Sequence, residues 1–480
     1  MSFVGDRLED FSVKRPDDIA IVSGAASWTW RRFLEKVRAA EAFIRERTPR
    51  GGKVGLFLED QDALLICFFA CARTARIAMV LDPGWPDAQK KSVREAAGPD
   101  LVVDSAAFAL LSSEPYATAL SSDRSEAPPR EDDPFYCGFT SGSTGAPKGY
   151  LRSHGSWLKS FEISDREFGI RDTERIVLAG QLTHSLHLYG AVCGLAGGHG
   201  VVLAPRFDPR TLLSSLARAE TGTTLYATPT QLHYLAEAAE RSGPVEAVRH
   251  VLASGAKWQH KDRQRLTAVF PNARLFEFYG ASETSFITIS GPDGDVATGS
   301  VGRAPPEVGI AIGNPDSPVP PETAGAIWVR SPLLFTGYLC GDDPLTRWQN
   351  GWLSFGDEGY LDQNGYLFLV GRTGRMIVTS GLNVYPEEIE EVLLAHPAVS
   401  RAVVTGLADP VRGQRLEAAV EMREPLPDLE AALLSHCRQH LAPGKWPRRF
   451  HHYETLPTTP GGKPDIQRVK RELLGKEAAE

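Results

Sequence analysis

Short apolar runs alternate with helix-patterned stretches through most of this chain, and that alternation narrows the available folds more than any other feature. Residues 53–58 (KVGLFL) and 77–81 read as buried strands on either side of an apolar helix at 63–74, and a further strand follows at 99–104. The order returns downstream, with strand patterns at 176–179, 200–203, 223–227, 250–254 and 274–278 separated by helical stretches. Continuous apolar runs bounded by turn residues suit strands covered on both faces. Their alternation with helices implies an α/β domain of doubly wound, mostly parallel sheets, with ligands held outside the carboxyl ends of the strands. From 302 to 357 glycine and proline become frequent and strand patterns shorten, as in a β-rich subdomain.

Beyond Gly371-Arg372-Thr373-Gly374 the pattern restarts, with a strand at 376–379, a helix at 386–395, strands at 398–406 and 418–421, and a helix at 429–441. A unit of about a hundred residues suffices for a small α+β domain. The division falls between residues 1–372, a large N-terminal domain, and 373–480, a small C-terminal one. The polar, proline-containing stretch 112–133 reads as a linker inside the larger of the two.

Composition excludes some destinations. With 42% hydrophobic and 23% charged residues and a net charge of -8, nothing points to nucleic acid or a membrane surface as the main partner. No apolar run reaches the length that spans a bilayer, and the opening residues lack a signal-peptide core, so a cytoplasmic location without integral membrane association is expected. The six cysteines are scattered. Cys67 and Cys71, one helical turn apart in LLICFFACA, suit buried packing, and no Cys/His group has zinc spacing.

The stretch 139–150, FTSGSTGAPKGY, carries the first chemistry. Thr140, Ser141, Gly142, Ser143, Thr144 and Gly145 form a run of small residues whose backbone N–H groups can turn inward around an anion, and Lys148 adds a point charge for the outer phosphates of a nucleotide. A Gly/Ser-rich surface loop is the bland alternative for a shorter run. It is not a Walker A loop, since Lys148 is followed by Gly149 and Tyr150 rather than Ser or Thr.

Four further motifs stand in register with that loop: FYGASET (278–284), WLSFGDEGYLDQNGYLFLVGR (352–372), MIVTSGLNVYPEEIEEVL (376–393) and LPTTPGGK (456–463). In order and spacing the five resemble the AMP-forming adenylating enzymes, a superfamily of acyl-CoA synthetases, nonribosomal peptide synthetase adenylation domains and luciferases. The motifs are most similar to those of the acyl-CoA synthetases, and the resemblance covers nearly the whole chain.

The resemblance implies a ligase that makes an acyl adenylate from a carboxylate and Mg2+-ATP, releases pyrophosphate, and passes the acyl group to a thiol. Bringing a carboxylate to an α-phosphate joins two anions, which explains a site rich in lysine and backbone amides. It also implies roles. Thr140, Ser141, Ser143, Thr144 and Lys148 would surround the β- and γ-phosphates. Glu283 would bind the magnesium ion, Thr284 would face the α-phosphate, and Tyr279 with Gly280 would lie against the adenine opposite Ser254, Gly255 and Ala256. Asp357 would grip the ribose hydroxyls with Arg372 near it, and Lys463 would bridge the substrate carboxylate and the α-phosphate. In such enzymes the small domain is mobile and rotates after adenylation. The pivot falls on Gly374, where aspartate or lysine is usual, and a glycine predicts a looser hinge. After rotation the loop 380–383 would enter the site, with Gly381 leaving room for a pantetheine arm. Phe355, Gly374 and Pro464 depart from the usual residues at their positions.

His184 falls on the residue that contacts the substrate carboxylate in acyl-CoA synthetases. Amino-acid-activating members carry an aspartate in this region to pair the substrate ammonium, and no acidic residue occurs between Gln181 and Ala204, so a fatty or aromatic acid is expected. The acceptor is expected to be CoA, for which Lys445, Arg448 and Arg449 form a candidate basic patch. Two alternatives stay open: loading of the phosphopantetheine of an acyl or peptidyl carrier protein, and a catalytically silent nucleotide-binding protein.

Overall fold

A computed structural model describes residues 1–24, 26–111, 126–140, 148–170, 175–204, 206–219, 221–255, 260–292, 297–379, 382–410, 412–459 and 462–477. The sequence-predicted site residues Ser141, Gly142, Ser143, Thr144, Gly145, Ala256 and Gly381 lie outside them. Contacts divide the chain into two compact units: Met1–Ile310 with Val329–Pro344 and Gly351–Leu353, and Ala311–Trp328 with Leu345–Asn350 and Ser354–Glu480.

The first unit contains two sheets among its described residues. One runs Ser285–Ser290, Arg274–Ala281, Val248–Ala253, Thr223–Ala227, Arg175–Leu178, Gly200–Leu203, Ile19–Ser23, Ala26–Thr29. Its interior pairings are parallel, and only the two edge strands run antiparallel. Every residue of Thr223–Ala227 is buried, which is why this strand reads as an unbroken apolar run rather than an alternating one. The second sheet runs Gly337–Cys340, Lys148–Ser153, Pro134–Thr140, Ile77–Val80, Lys53–Phe57, Leu101–Asp104. Helices Trp30–Arg47 and Gln61–Arg73 supply the common core, with Trp30, Phe33, Phe68 and Phe69 buried. Cys67 and Cys71 pack there as free thiols.

Local chemistry sets where helices begin. Thr29 caps Trp30–Arg47 by accepting from Arg32 N, and Thr228 with Gln231 forms a reciprocal capping box ahead of Pro229–Ser242, whose first residue is proline.

The second unit holds a β-rich part and an α+β part. Asp357–Leu361 pairs with Leu367–Arg372 and, through Gly325 and Ala326, with the strand Gly325–Arg330. The α+β part is built on the antiparallel pair Val399–Asp409 and Gly413–Met422, joined by Ile377–Thr379, Leu382–Val384 and Arg449–Tyr453. Helices Pro386–Ala395 and Leu429–His440 cover its core through Ile389, Leu393, Leu433 and Cys437. Strand Arg449–Tyr453 and helix Ile466–Glu477 carry mixed apolar and charged patterns and are not evident from sequence. No helix of the described residues is long and apolar enough to cross a membrane.

Candidate active site

In the first unit the candidate residues gather at the carboxyl edge of the larger sheet and at the adjoining end of the smaller one. Strands Val248–Ala253 and Arg274–Ala281 are parallel neighbours, with Ala253 opposite Glu277. Ser254 and Gly255 therefore leave the sheet beside Tyr279 and Gly280. Gly255 has φ +105°, which favours glycine. His184 precedes helix Ser185–Gly197 at the same edge, and Ser185 Oγ lies 3.4 Å from Ser282 Oγ.

Thr140 and Lys148 close the strands flanking the phosphate-loop stretch and face each other in register. Thr140 Oγ1 is buried with no hydrogen-bond partner among the described residues, an unspent polar atom where the described strand ends. Lys148 is 7% exposed, and its Nζ sits 2.5 Å from Asp343 Oδ2 and 6.0 Å from the centre of the Tyr338 ring. The opposite face of that tyrosine's strand neighbourhood carries the acid: Tyr338 Oη donates to Glu283 Oε1 at 3.0 Å. A buried lysine and a buried glutamate thus flank one phenol.

Glu283 and Thr284 belong to a tight turn between Arg274–Ala281 and Ser285–Ser290. A Cβ at Gly280 would lie 1.8 Å from Ser285 O, so only glycine fits, and Ser285 takes a left-handed backbone with φ +56°. Thr284 is fully buried, and its Oγ1 accepts from Ala281 N at 2.9 Å. Phe335 N donates to Glu283 O at 2.7 Å.

In the second unit the structure joins the other three candidates. Asp357, 4% exposed, is the register partner of Arg372, with Arg372 Nε 2.6 Å from Asp357 Oδ1. Lys463 is electrostatically coupled to both: crowding by protein atoms, then the like charge of Arg372, lower its pKa from the usual lysine value, while Asp357 opposes the shift. It nonetheless keeps an exposed face. Gly374 lies in the 3-10 turn Thr373–Arg375, and Thr373 Oγ1 donates to Glu358 Oε1 at 3.0 Å, while Tyr385 Oη donates to Glu358 Oε2. Of the basic patch, Lys445 is committed to Glu388 at 2.6 Å; Arg448 and Arg449 are exposed.

Sequence reasoning missed Asp343, Tyr338, Arg152 and His187. His187 is buried beneath His184, ring centres 6.4 Å apart, and burial pushes its pKa down to about 4, keeping it neutral. Polar residues in an otherwise apolar strand or helix were the available signal for Arg152 and His187; nothing local marks Asp343.

The orphan hydroxyl of Thr140 and the oriented carboxylate of Glu283 are of a chemistry that could meet a magnesium–nucleotide complex. No three His, Cys, Asp or Glu side chains of the described residues form a metal cluster, so a cation here would take oxygen ligands from Glu283 and the nucleotide.

These features are those expected of a nucleotide-dependent acid-activating enzyme. Residues 8–339 match the AMP-binding enzyme family and residues 388–463 the AMP-binding enzyme C-terminal domain, and the chain belongs to that family. It is 35% identical over 472 residues to YhfT, described as an uncharacterized acyl–CoA ligase of Bacillus subtilis, covering 95% of this chain and 96% of the relative. It is 32% identical to sulfoacetate–CoA ligase of Cupriavidus necator over 72% of this chain and 67% of the relative. Among solved structures, o-succinylbenzoate CoA synthetase of B. subtilis with its acyl-adenylate intermediate matches at TM-score 0.85 and 26% identity, covering 96% of this chain and 97% of the other. The same synthetase is also known with ATP and a magnesium ion. The chain belongs with enzymes that activate a carboxylic acid with ATP, and the relatives it matches are named as acyl–CoA ligases.

Proposed function

We propose that the acid is fatty or aromatic rather than an α-amino acid, and that CoA rather than a carrier protein takes the acyl group. The observation that carries the first part is the wall behind His184. Helix Ser185–Gly197 and strand Gly200–Leu203 contain no carboxylate, and His187 below is held neutral. Neither element therefore offers a counter-ion to a substrate ammonium.

In this reading Lys148, Thr140 and the 141–145 stretch hold the leaving phosphates, and Glu283 holds the magnesium ion, which neutralises phosphate charge when bound. Thr284, its buried hydroxyl bonded to the backbone of Ala281 and Ser285, exchanges one of these bonds to meet the α-phosphate. Tyr279, Gly280, Ser254, Gly255 and Ala256 hold the adenine, and Asp357 with Arg372 the ribose. Lys463 offsets the charge of carboxylate and α-phosphate as they approach. Its lowered pKa makes its proton easier to lose than that of a free lysine. The small domain, residues 373–480, withdraws Lys463 by turning about Gly374, and Gly381 then admits the pantetheine arm.

The test is pyrophosphate release from Mg2+-ATP across a panel of fatty, aromatic, sulfonated and α-amino acids, followed by addition of CoA or a pantetheinylated carrier protein. Release with fatty or aromatic acids and thioester formation with CoA are expected. Preference for an α-amino acid, or thioester formation only on the carrier, would overturn the corresponding half.

A further inference from the structure

We infer that Arg152 is a positioning residue for adenylation: it staples the turn bearing Glu283 to the strand that leaves the phosphate loop, and so sets where the magnesium–nucleotide complex is held. The inference rests on the reading of Glu283 given above. Strand Lys148–Ser153 alternates, and Lys148, Tyr150 and Arg152 are buried on one face. Tyr150 Oη lies 2.9 Å from Tyr136 Oη, an approach possible only because Gly138 has no side chain: a Cβ there would sit 2.2 and 2.3 Å from the two hydroxyls. Arg152 comes next on that face, 2% exposed.

Its guanidinium is almost fully spent on three separate segments. Nε donates to Ser156 Oγ at 3.3 Å, Nη1 to Ser282 O at 2.9 Å, and Nη2 to Ser285 Oγ at 2.8 Å and Leu333 O at 2.6 Å. Among the described residues none of these partners is a carboxylate. Burying a guanidinium without a bonded counter-ion is costly, and burial lowers its pKa to about 10, so it remains charged at neutral pH. A leucine or methionine would fill this space at less cost. What the arginine adds is the planar fork, which reaches both sides of Glu283, at 282 and 285, and also Leu333, two residues before the Phe335 amide that holds the Glu283 carbonyl. The turn it restrains includes the left-handed Ser285, a conformation that persists only where surrounding bonds fix it. Without the fork, Ser282 O and Leu333 O lose their donors and Glu283 loses its aim.

A partner behind a metal-binding carboxylate acts on metal affinity before it acts on chemistry, and its loss typically costs about 10- to 100-fold. Calorimetric titration of ATP into the full chain, with EDTA and with saturating Mg2+, reads this without knowledge of the acid. In the parent, Mg2+ is expected to tighten ATP binding. In Arg152→Lys, which keeps the charge and loses the fork, that gain is expected to shrink about tenfold or more while affinity in EDTA stays within about twofold. Ser285→Ala, which removes one of the four bonds, is expected to shrink it by a smaller factor, and decides the matter if Arg152→Lys does not fold by circular dichroism. A Mg2+-linked gain unchanged in the folded variants, or affinity falling equally with and without Mg2+, overturns the inference. Glu283→Gln is titrated in parallel: if it leaves the gain unchanged, the assignment of Glu283 itself fails, whereas loss in Glu283→Gln alone overturns only the role of Arg152. When both act through one turn, Arg152→Lys combined with Glu283→Gln is no worse than Glu283→Gln.

Discussion

The Glu283 turn of the first unit and the Lys463 turn of the second each carry a charged side chain, proposed above for the magnesium ion and for the α-phosphate, yet they are built on opposite plans. Glu283 is buried, its carbonyl held by Phe335, its carboxylate by Tyr338, and the flanking residues by Arg152. Lys463 is exposed, follows Gly462 at φ +77°, and its carbonyl accepts from Thr459 N at 2.7 Å. One residue is aimed by bonds from separate segments; for the other the described residues show its own turn and the field of Asp357 and Arg372. In the function proposed above, the contrast sets a group that stays with its ion, held by several segments, against one that must come and go.

The sharpest way to break this comparison is Lys463→Ala. Adenylation is expected to fall about 10²- to 10³-fold, the cost of losing one charged donor at a developing anion, while thioester formation from a supplied acyl adenylate and CoA stays near that of the parent. Equal loss in both half reactions would contradict a lysine that leaves after the first. A pH profile is the second test. Lys463 acts while protonated, so adenylation is full below its pKa and declines as pH rises through it. Because that pKa is lowered, the decline is expected to begin below the ordinary lysine value of 10.5, and to be absent both from Lys463→Ala and from the thioester step. A third, smaller effect concerns Asp343→Asn. Removing the carboxylate that holds Lys148 is expected to tighten ATP several-fold, read by calorimetry, whereas unchanged or weaker binding would show that the pair does not compete with nucleotide. The smallest is Gly374→Ala. Its Cβ would meet only Leu345 Cδ1, at 2.9 Å, the end of a flexible side chain. Stiffening the turn is expected to slow overall turnover about two- to fivefold with adenylation unaffected, and a change confined to adenylation would place the pivot elsewhere.

The fold was largely legible because the cues were local and repeated: 223–227 is an apolar run and is a fully buried strand, and 386–395 carries proline at its first turn and an apolar stripe. Strand Arg449–Tyr453 escaped notice because RFHHY has no apolar periodicity; it is a strand through its pairing with Gly413–Met422. At the site, contiguous motifs named Lys148, Glu283, Asp357 and Lys463, and the structure groups Asp357, Arg372 and Lys463 in one unit. The residues that aim them could not be read this way. Tyr338 and Asp343 lie far along the chain from Glu283 and Lys148, and only the pairing of Gly337–Cys340 against Lys148–Ser153 brings them near. Arg152 is the instructive intermediate: a charged residue on the inward face of a strand conflicts with the local pattern, and such conflicts collect at functional sites.

The ion pair between Lys148 and Asp343 has a consequence for discrimination. A lysine at the mouth of a phosphate loop attracts any small anion, and a cell holds abundant orthophosphate and sulfate. With Asp343 2.5 Å away, an incoming ligand must displace a carboxylate before it gains the lysine. A single tetrahedral anion brings few contacts to exchange for that loss, whereas a triphosphate brings a second phosphate, a magnesium ion and a nucleoside to share it. If Lys148 meets the phosphates as proposed, the internal carboxylate would work as a competitor built into the chain, and Asp343→Asn would be expected to narrow the preference for a complete nucleotide over free anions.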